Sequence, residues 1–198
     1  MMKIVIASGN KGKIKEFKTL LPDFEIFTYK EILGDIEIIE DADTFKGNAI
    51  KKAKTIYDAL PKDEKYLVIS DDSGITVPAL NNEPNIYSAR YAGENATDVD
   101  NNNKLISRLN EEGIEKTDAF YTACIAIVFN EQIYTTHGWM HGQVQNKSIG
   151  DGGFGYDPLF TPNGFDETLG TLDVEIKKKL SHRSHAIDRA MKIIKVIV

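Results

Sequence analysis

Ile4-Val5-Ile6-Ala7-Ser8-Gly9-Asn10-Lys11-Gly12-Lys13 decides the fold class. Four apolar residues followed by a polar glycine loop read as a buried strand ended by a turn. A helix is expected from Gly12 to Leu21, stopped by Pro22. Ile14, Phe17 and Leu21 then fall on one helical face. The chain therefore opens as strand, glycine loop and helix.

The same alternation continues outward. Thr44 can cap a second helix running to Leu60, with Pro61 as its stop. Ala49, Ala53, Ile56, Tyr57 and Leu60 make its apolar stripe, with Lys52 off that stripe. Tyr66 to Ser70 reads as a short strand, with Asp71-Asp72-Ser73-Gly74 at its C-terminal end. Thr97-Asp98-Val99-Asp100 resembles a capping box and starts a helix to Glu112, with Gly113 beyond it. Phe120 to Phe129 is a longer strand, and Asn130-Glu131 turns it into Gln132 to Gly138. Gly142 to Ser148 adds a further strand, and a glycine-rich loop follows from Gly150 to Gly155. A last amphipathic helix should follow Arg183, with Ile187, Ala190, Met191 and Ile194 inward. The pattern is that of one mixed α/β domain over residues 1–198, without internal repeat or linker.

The 198 residues suit one domain, and an apolar fraction of 41% is enough for a core. Net charge is -6, yet from Lys177 to Val198 there are seven Lys or Arg against one acid, Asp188. The acidic remainder disfavours long nucleic acid as a partner. Lys178, Lys192 and Lys195 read as a solvated helix face. Cys124 is the only cysteine, and its apolar neighbours suggest a core thiol. Met1 to Ala7 is too short an apolar stretch for a signal peptide, and no stretch suits a bilayer span. A cytoplasmic protein without membrane attachment is expected.

Four segments could carry chemistry. Ser8, Gly9, Asn10, Lys11, Gly12 and Lys13 form a glycine loop before a helix, where backbone N–H groups and Lys13 can meet an anion. An ordinary strand-to-helix turn gives the same spacing. Asp71 and Asp72 are adjacent, so strand alternation sends their side chains to opposite faces. Either a metal site or an Asp turn accounts for them. Glu40, before the second helix, is a carboxylate that could share magnesium with one of them, since this ion often takes only one or two protein ligands. Gly152-Gly153-Phe154-Gly155-Tyr156-Asp157-Pro158 could form an aromatic slot for a nucleobase or fold into the core. Ser181-His182-Arg183 offers donors for phosphate or a carbonyl, or begins a cationic surface helix.

Taken in order, Ser8–Lys13, Glu40 with Thr44-Phe45 and Asn48-Ala49, Asp71–Gly74, Tyr87–Gly93, Gly152–Pro158 and Ser181–Arg183 resemble the inosine triphosphate pyrophosphatase family, also called Ham1-like proteins. The resemblance implies hydrolysis of ITP, dITP and XTP to the monophosphate and pyrophosphate with magnesium. It also implies an elongated mixed sheet flanked by helices, two lobes with the site in the cleft between them, and a homodimer. Asp72 matches the family's catalytic acid, and Glu40 and Asp72 its metal carboxylates. Ser8 to Lys13 and Lys52 match positions near the phosphates. Ser73, Phe154, Gly155, Tyr156, Asp157, Lys177, His182 and Arg183 match nucleotide-binding positions. Ser8 stands where Thr is also common, and Ile176 where an acid is frequent. A Maf-like nucleotide pyrophosphatase is the rival enzyme, and a nucleotide sensor without catalysis is the rival from another class.

Overall fold

The computed structural model describes residues 3–22 and 24–198. Its strands are β1 (Lys3–Ile6), β2 (Ile26–Thr28), β3 (Tyr66–Val77), β4 (Glu83–Pro84), β5 (Lys116–Phe129), β6 (Gln132–Gln145) and β7 (Phe160–Pro162). The helices are α1 (Lys11–Leu20), α2 (Tyr29–Leu33), α3 (Phe45–Ala59), α4 (Asp98–Glu111), α5 (Val174–Leu180) and α6 (His182–Ile197). The sheet is mixed, in the order β2-β1-β3-β5-β6-β7, with β4 beside β3. Among the described residues, no helix is long and apolar enough to cross a membrane.

Two compact units divide the chain. The first comprises the residues up to Asp72, Ala123–Gly138 and Ala186–Val198. Here β1 pairs in parallel with β2 and β3, so both sheet faces must be covered. Alternation along β1 does this: Ile4 and Ile6 pack with Phe17 of α1 and Ile187 and Ile194 of α6. Val5 and Ala7 pack on the other side with Ala49, Ala53 and Ile56 of α3. Each fully buried Ile or Phe contributes about 1.5–3 kcal/mol against exposure.

The second unit comprises Ser73–Thr122 and Trp139–His185. Its strand pairs β3–β4 and β6–β7 are antiparallel. Ile75 and Val77, Leu105 and Leu109 of α4, Tyr121, Val144 and Phe160 make its core. Thr97 caps α4 reciprocally with Asp100, as the sequence predicts.

Four expectations are corrected. Strand β3 does not stop at Ser70; it runs on to Val77, and of Asp71 to Gly74 all but Ser73 are buried. Gln132 to Gly138 and Gly142 onward belong to one strand, β6. Helix α6 starts at His182, so His182 and Arg183 lie in its first turn instead of before it. Lys52 is buried on α3 beside Asn48, Ala49, Ala53 and Ile56, and does not lie off the packed face.

Candidate active site

In the first unit, the period of two along β3 continues through its acids. Leu67 and Ile69 face the core shared with α1 and α6, and Asp71 follows in their phase. Its Oδ2 lies 2.7 Å from Lys13 Nζ, in the first turn of α1. Val68 faces the core shared with α3, and Asp72 follows it. Asp72 Oδ1 lies 3.2 Å from Lys52 Nζ, whose second partner is Glu40 Oε2 at 2.6 Å. Adjacent acids can thus stay inside a buried strand because a different lysine meets each one.

Lys52 is 6% exposed. Burial opposes its charge, but Asp72 and Glu40 outweigh that, and its pKa is raised. Burial pushes the Asp72 carboxyl up, against the pull of Lys52 and Lys13. Asp72 Oδ2 is buried and accepts no hydrogen bond from the described residues. An ionised oxygen in that state calls for a cation or a water. No group of three or more His, Cys, Asp or Glu suited to a metal occurs among the described residues. Glu40 and Asp72 are nonetheless a donor set that fits magnesium, which takes hard oxygen ligands and completes its shell with water and phosphate.

The Glu40 loop is fixed locally. Asn48 Oδ1 accepts from Ala42 N–H at 2.9 Å. A Cβ on Gly47 would sit 2.7 Å from Ala42 Cβ, so the loop rests directly on the start of α3. Thr44 closes that start by accepting from Gly47 N–H. Across β1, Ser8 is buried while Gly9, Asn10 and Lys11 are exposed. Asn10 caps α1 by accepting from Lys13 N–H at 3.0 Å. Strand end, exposed loop and helix start are therefore arranged as an anion cradle requires.

The second unit carries the aromatic and cationic residues. Phe154 is 38% exposed. The Arg183 guanidinium lies 5.8 Å and Lys177 Nζ 5.7 Å from its ring centre. Lys177 also pairs with Asp157, which accepts from Phe154 N–H at 2.9 Å. Gly153 permits this closeness, since a Cβ there would sit 2.1 Å from both Asp157 Oδ2 and Lys177 Nζ. Arg183 is 2% exposed and donates to Ser73 Oγ at 2.9 Å. His182 stacks on Tyr121 at 4.7 Å with 12° between planes. Tyr156 is buried in the core, and its hydroxyl donates to Ser88 C=O at 2.8 Å.

The structure thus gathers Glu40, Lys52 and Asp72 at one place, Lys13 and Asp71 at a second, and Ser73, Phe154, Asp157, Lys177 and Arg183 at a third. Gly155 and Tyr156 shape the aromatic loop. Sequence reasoning gave no role to Tyr121, Asp98 or Asn102, or to Asn48 beyond its place in a motif. Asp98 was legible only as part of a helix start. Its bond to Gly155 joins residues far apart in the chain.

The profile of the Ham1 family matches residues 4–193. The chain is 64% identical to the dITP/XTP pyrophosphatase of Aliarcobacter butzleri, with 100% of both chains covered. It is 52% identical to the dITP/XTP pyrophosphatase of Sulfurovum sp., covering 99% of this chain and 95% of the relative. Among solved structures, the Staphylococcus aureus Ham1 protein superposes with a TM-score of 0.86 at 38% identity, over 99% of this chain and 100% of that one. The nucleoside-triphosphatase, or dITP/XTP pyrophosphatase, of Mycobacterium abscessus gives 0.76 at 30% identity, over 96% and 98%.

Proposed function

The chain belongs to the Ham1 family, and from that premise we propose that it hydrolyses ITP, dITP and XTP to the nucleoside monophosphate and pyrophosphate. The carrying observation is buried Lys52 paired with half-buried Glu40 and buried Asp72, in which Asp72 keeps one oxygen without a hydrogen-bond donor. Glu40 and Asp72 would hold a magnesium ion. When bound, that ion neutralises charge on the triphosphate.

Asp72 orients the water that attacks the α-phosphorus, and pyrophosphate leaves. Lys52 is the cation that pairs with both carboxylates before substrate arrives. Lys13 and the Ser8–Gly12 loop meet phosphate oxygens through the lysine charge and the α1 donors. Phe154 stacks on the purine. His182 and Arg183 present donors that suit a 6-oxo group; the 6-amino group of adenine leaves them unmatched. Each buried unmatched donor costs about 1–3 kcal/mol, which discriminates against ATP. A homodimer in the cytoplasm belongs to the same reading, and a monomeric mass by light scattering would remove the dimer from it.

The test is to incubate the protein with magnesium and ITP and identify the products. IMP with pyrophosphate is expected. IDP with phosphate would move the attack to another phosphorus, and faster turnover of a pyrimidine triphosphate would favour a Maf-like activity. Tight ITP binding without any product would leave a sensor.

A further inference from the structure

Two side chains of helix α4 hydrogen-bond to one residue of the aromatic loop. Asp98 Oδ2 accepts from Gly155 N–H at 2.7 Å, and Asn102 Nδ2 donates to Gly155 C=O at 3.0 Å. Four positions separate Asp98 from Asn102, so one face of the helix holds both backbone groups of one glycine. Gly155 has φ +61°, and a Cβ there would meet nothing within 4 Å. Glycine is therefore present for its left-handed backbone and not for space. Phe154 precedes it, and Asp157 follows two residues later.

The helix does not need these side chains for itself. Its first turn is already closed by Thr97 and Asp100. Asn102 is buried to 9% exposure inside a helix, where asparagine is a poor choice unless its amide is used. Its neighbour Asn101 makes a comparable pair of bonds, accepting from Ala92 N–H at 2.8 Å and donating to Ala89 C=O at 3.2 Å. The start of α4 is thus a clasp for loops.

We propose that Asp98 and Asn102 are positioning residues for base recognition: by clamping both backbone groups of Gly155, they hold the Phe154 ring and the Asp157 carboxylate in place for the purine. This rests on the function proposed above. Left-handed glycine backbone has several conformations open to it, and the two hydrogen bonds select one. A loop released from the clamp would pay for ordering when the nucleotide binds, which raises KM and leaves the chemical step alone.

The test uses the full-length protein and three variants. Asp98→Ala removes one bond and Asn102→Asp replaces the other with a carboxylate that cannot donate to the Gly155 carbonyl, whereas Asp98→Asn removes the charge and keeps an acceptor. Two readouts are taken: amide hydrogen exchange over residues 153–157 without nucleotide, and KM and kcat for ITP. For Asp98→Ala and Asn102→Asp, we expect exchange in the loop to speed up about fivefold and KM to rise about fivefold, with kcat changed by less than about twofold. Asp98→Asn should match the parent in both. Unchanged loop exchange and KM would overturn the proposal. So would an Asp98→Asn as impaired as Asp98→Ala, since charge would then be acting, or exchange rising throughout the protein, which marks general destabilisation. If the parent protein does not hydrolyse ITP, the functional reading falls, and the exchange data with the Asp98→Asn control still judge the clamp.

Discussion

Lys52 is a cation placed where a helix would normally bury an aliphatic side chain. Its partners are Glu40 and the buried Asp72. Removing one member of a buried ion group leaves uncompensated charge, and the general cost is about 3–5 kcal/mol. Glu40 retains access to water, so Lys52→Met should cost about 3 kcal/mol, the low end of that range. Magnesium should restore part of the loss, because an ion bound to the folded state alone raises stability. Thermal melts of the variant with and without magnesium check this; a midpoint indifferent to the ion would remove Glu40 and Asp72 from metal binding. Cys124 gives a second residue-scale prediction. Burial, with Asp71 and Asp72 nearby, pushes its thiol up to about 12. A raised thiol pKa means less thiolate, and thiolate is the reactive form. Between about pH 7 and 9, iodoacetamide should leave the folded protein unlabelled and label it fully in denaturant. Labelling of the native protein at the denatured rate would show that Cys124 is accessible.

The β5–β6 hairpin shows what a local element reveals in sequence. Asn130 and Glu131 have φ of 47° and 64°. Left-handed backbone at both central positions is the type I′ turn that suits strand twist. Asn tolerates it, whereas Glu is strained there by about 1 kcal/mol. Glu131→Gly relieves the strain at some cost in chain entropy, so it should stabilise by about 0.5 kcal/mol and raise the melting midpoint by about 1–2 °C. The bond from the 131 amide to the Tyr57 hydroxyl uses backbone and survives the change. A lower midpoint would contradict the turn type. This turn, the Thr44 cap and the Thr97 box were all legible because their partners lie within a few residues. The course of β3 through Asp71 and Asp72 was not, because the lysines that neutralise them come from α1 and α3. Nor was the continuity of β6. One strand is expected to end at Gly138 and the next to begin at Gly142, but a Cβ on Gly142 would sit 2.2 Å from Thr161 C=O, so the glycine admits the neighbouring strand β7. Gly74 works the same way inside β3, where a Cβ would lie 2.4 Å from Ser88 Oγ.

Across the whole molecule, the order of motifs was readable while their geometry was not. The residues proposed for phosphate, metal and base follow one another along the chain, from Ser8 through Glu40 and Asp72 to Arg183. What holds each of them, such as Asn48 on Ala42 or Asn102 on Gly155, depends on tertiary bonds that leave no local pattern. The structure divides the candidate residues between two compact units. Glu40, Lys52 and Asp72 belong to one compact unit, and Ser73, Phe154 and Arg183 to the other. If the proposed roles are separate, metal chemistry and base choice should respond to different substitutions. Asp72→Asn should stop turnover yet keep nucleotide binding, which makes it a background in which affinity can be read without hydrolysis. Arg183 is 2% exposed, so its loss is felt fully by whatever it meets. Placed in the Asp72→Asn background, Arg183→Ala should lower the ratio of ITP to ATP affinity about 5- to 30-fold, equivalent to about 1–2 kcal/mol of lost matching. Calorimetric titration of both nucleotides into the single and double variants measures it. An unchanged ratio would move base reading away from Arg183. A ratio already altered by Asp72→Asn alone would show that Asp72 also takes part in base choice, and the double variant then measures how far the two effects depart from additivity.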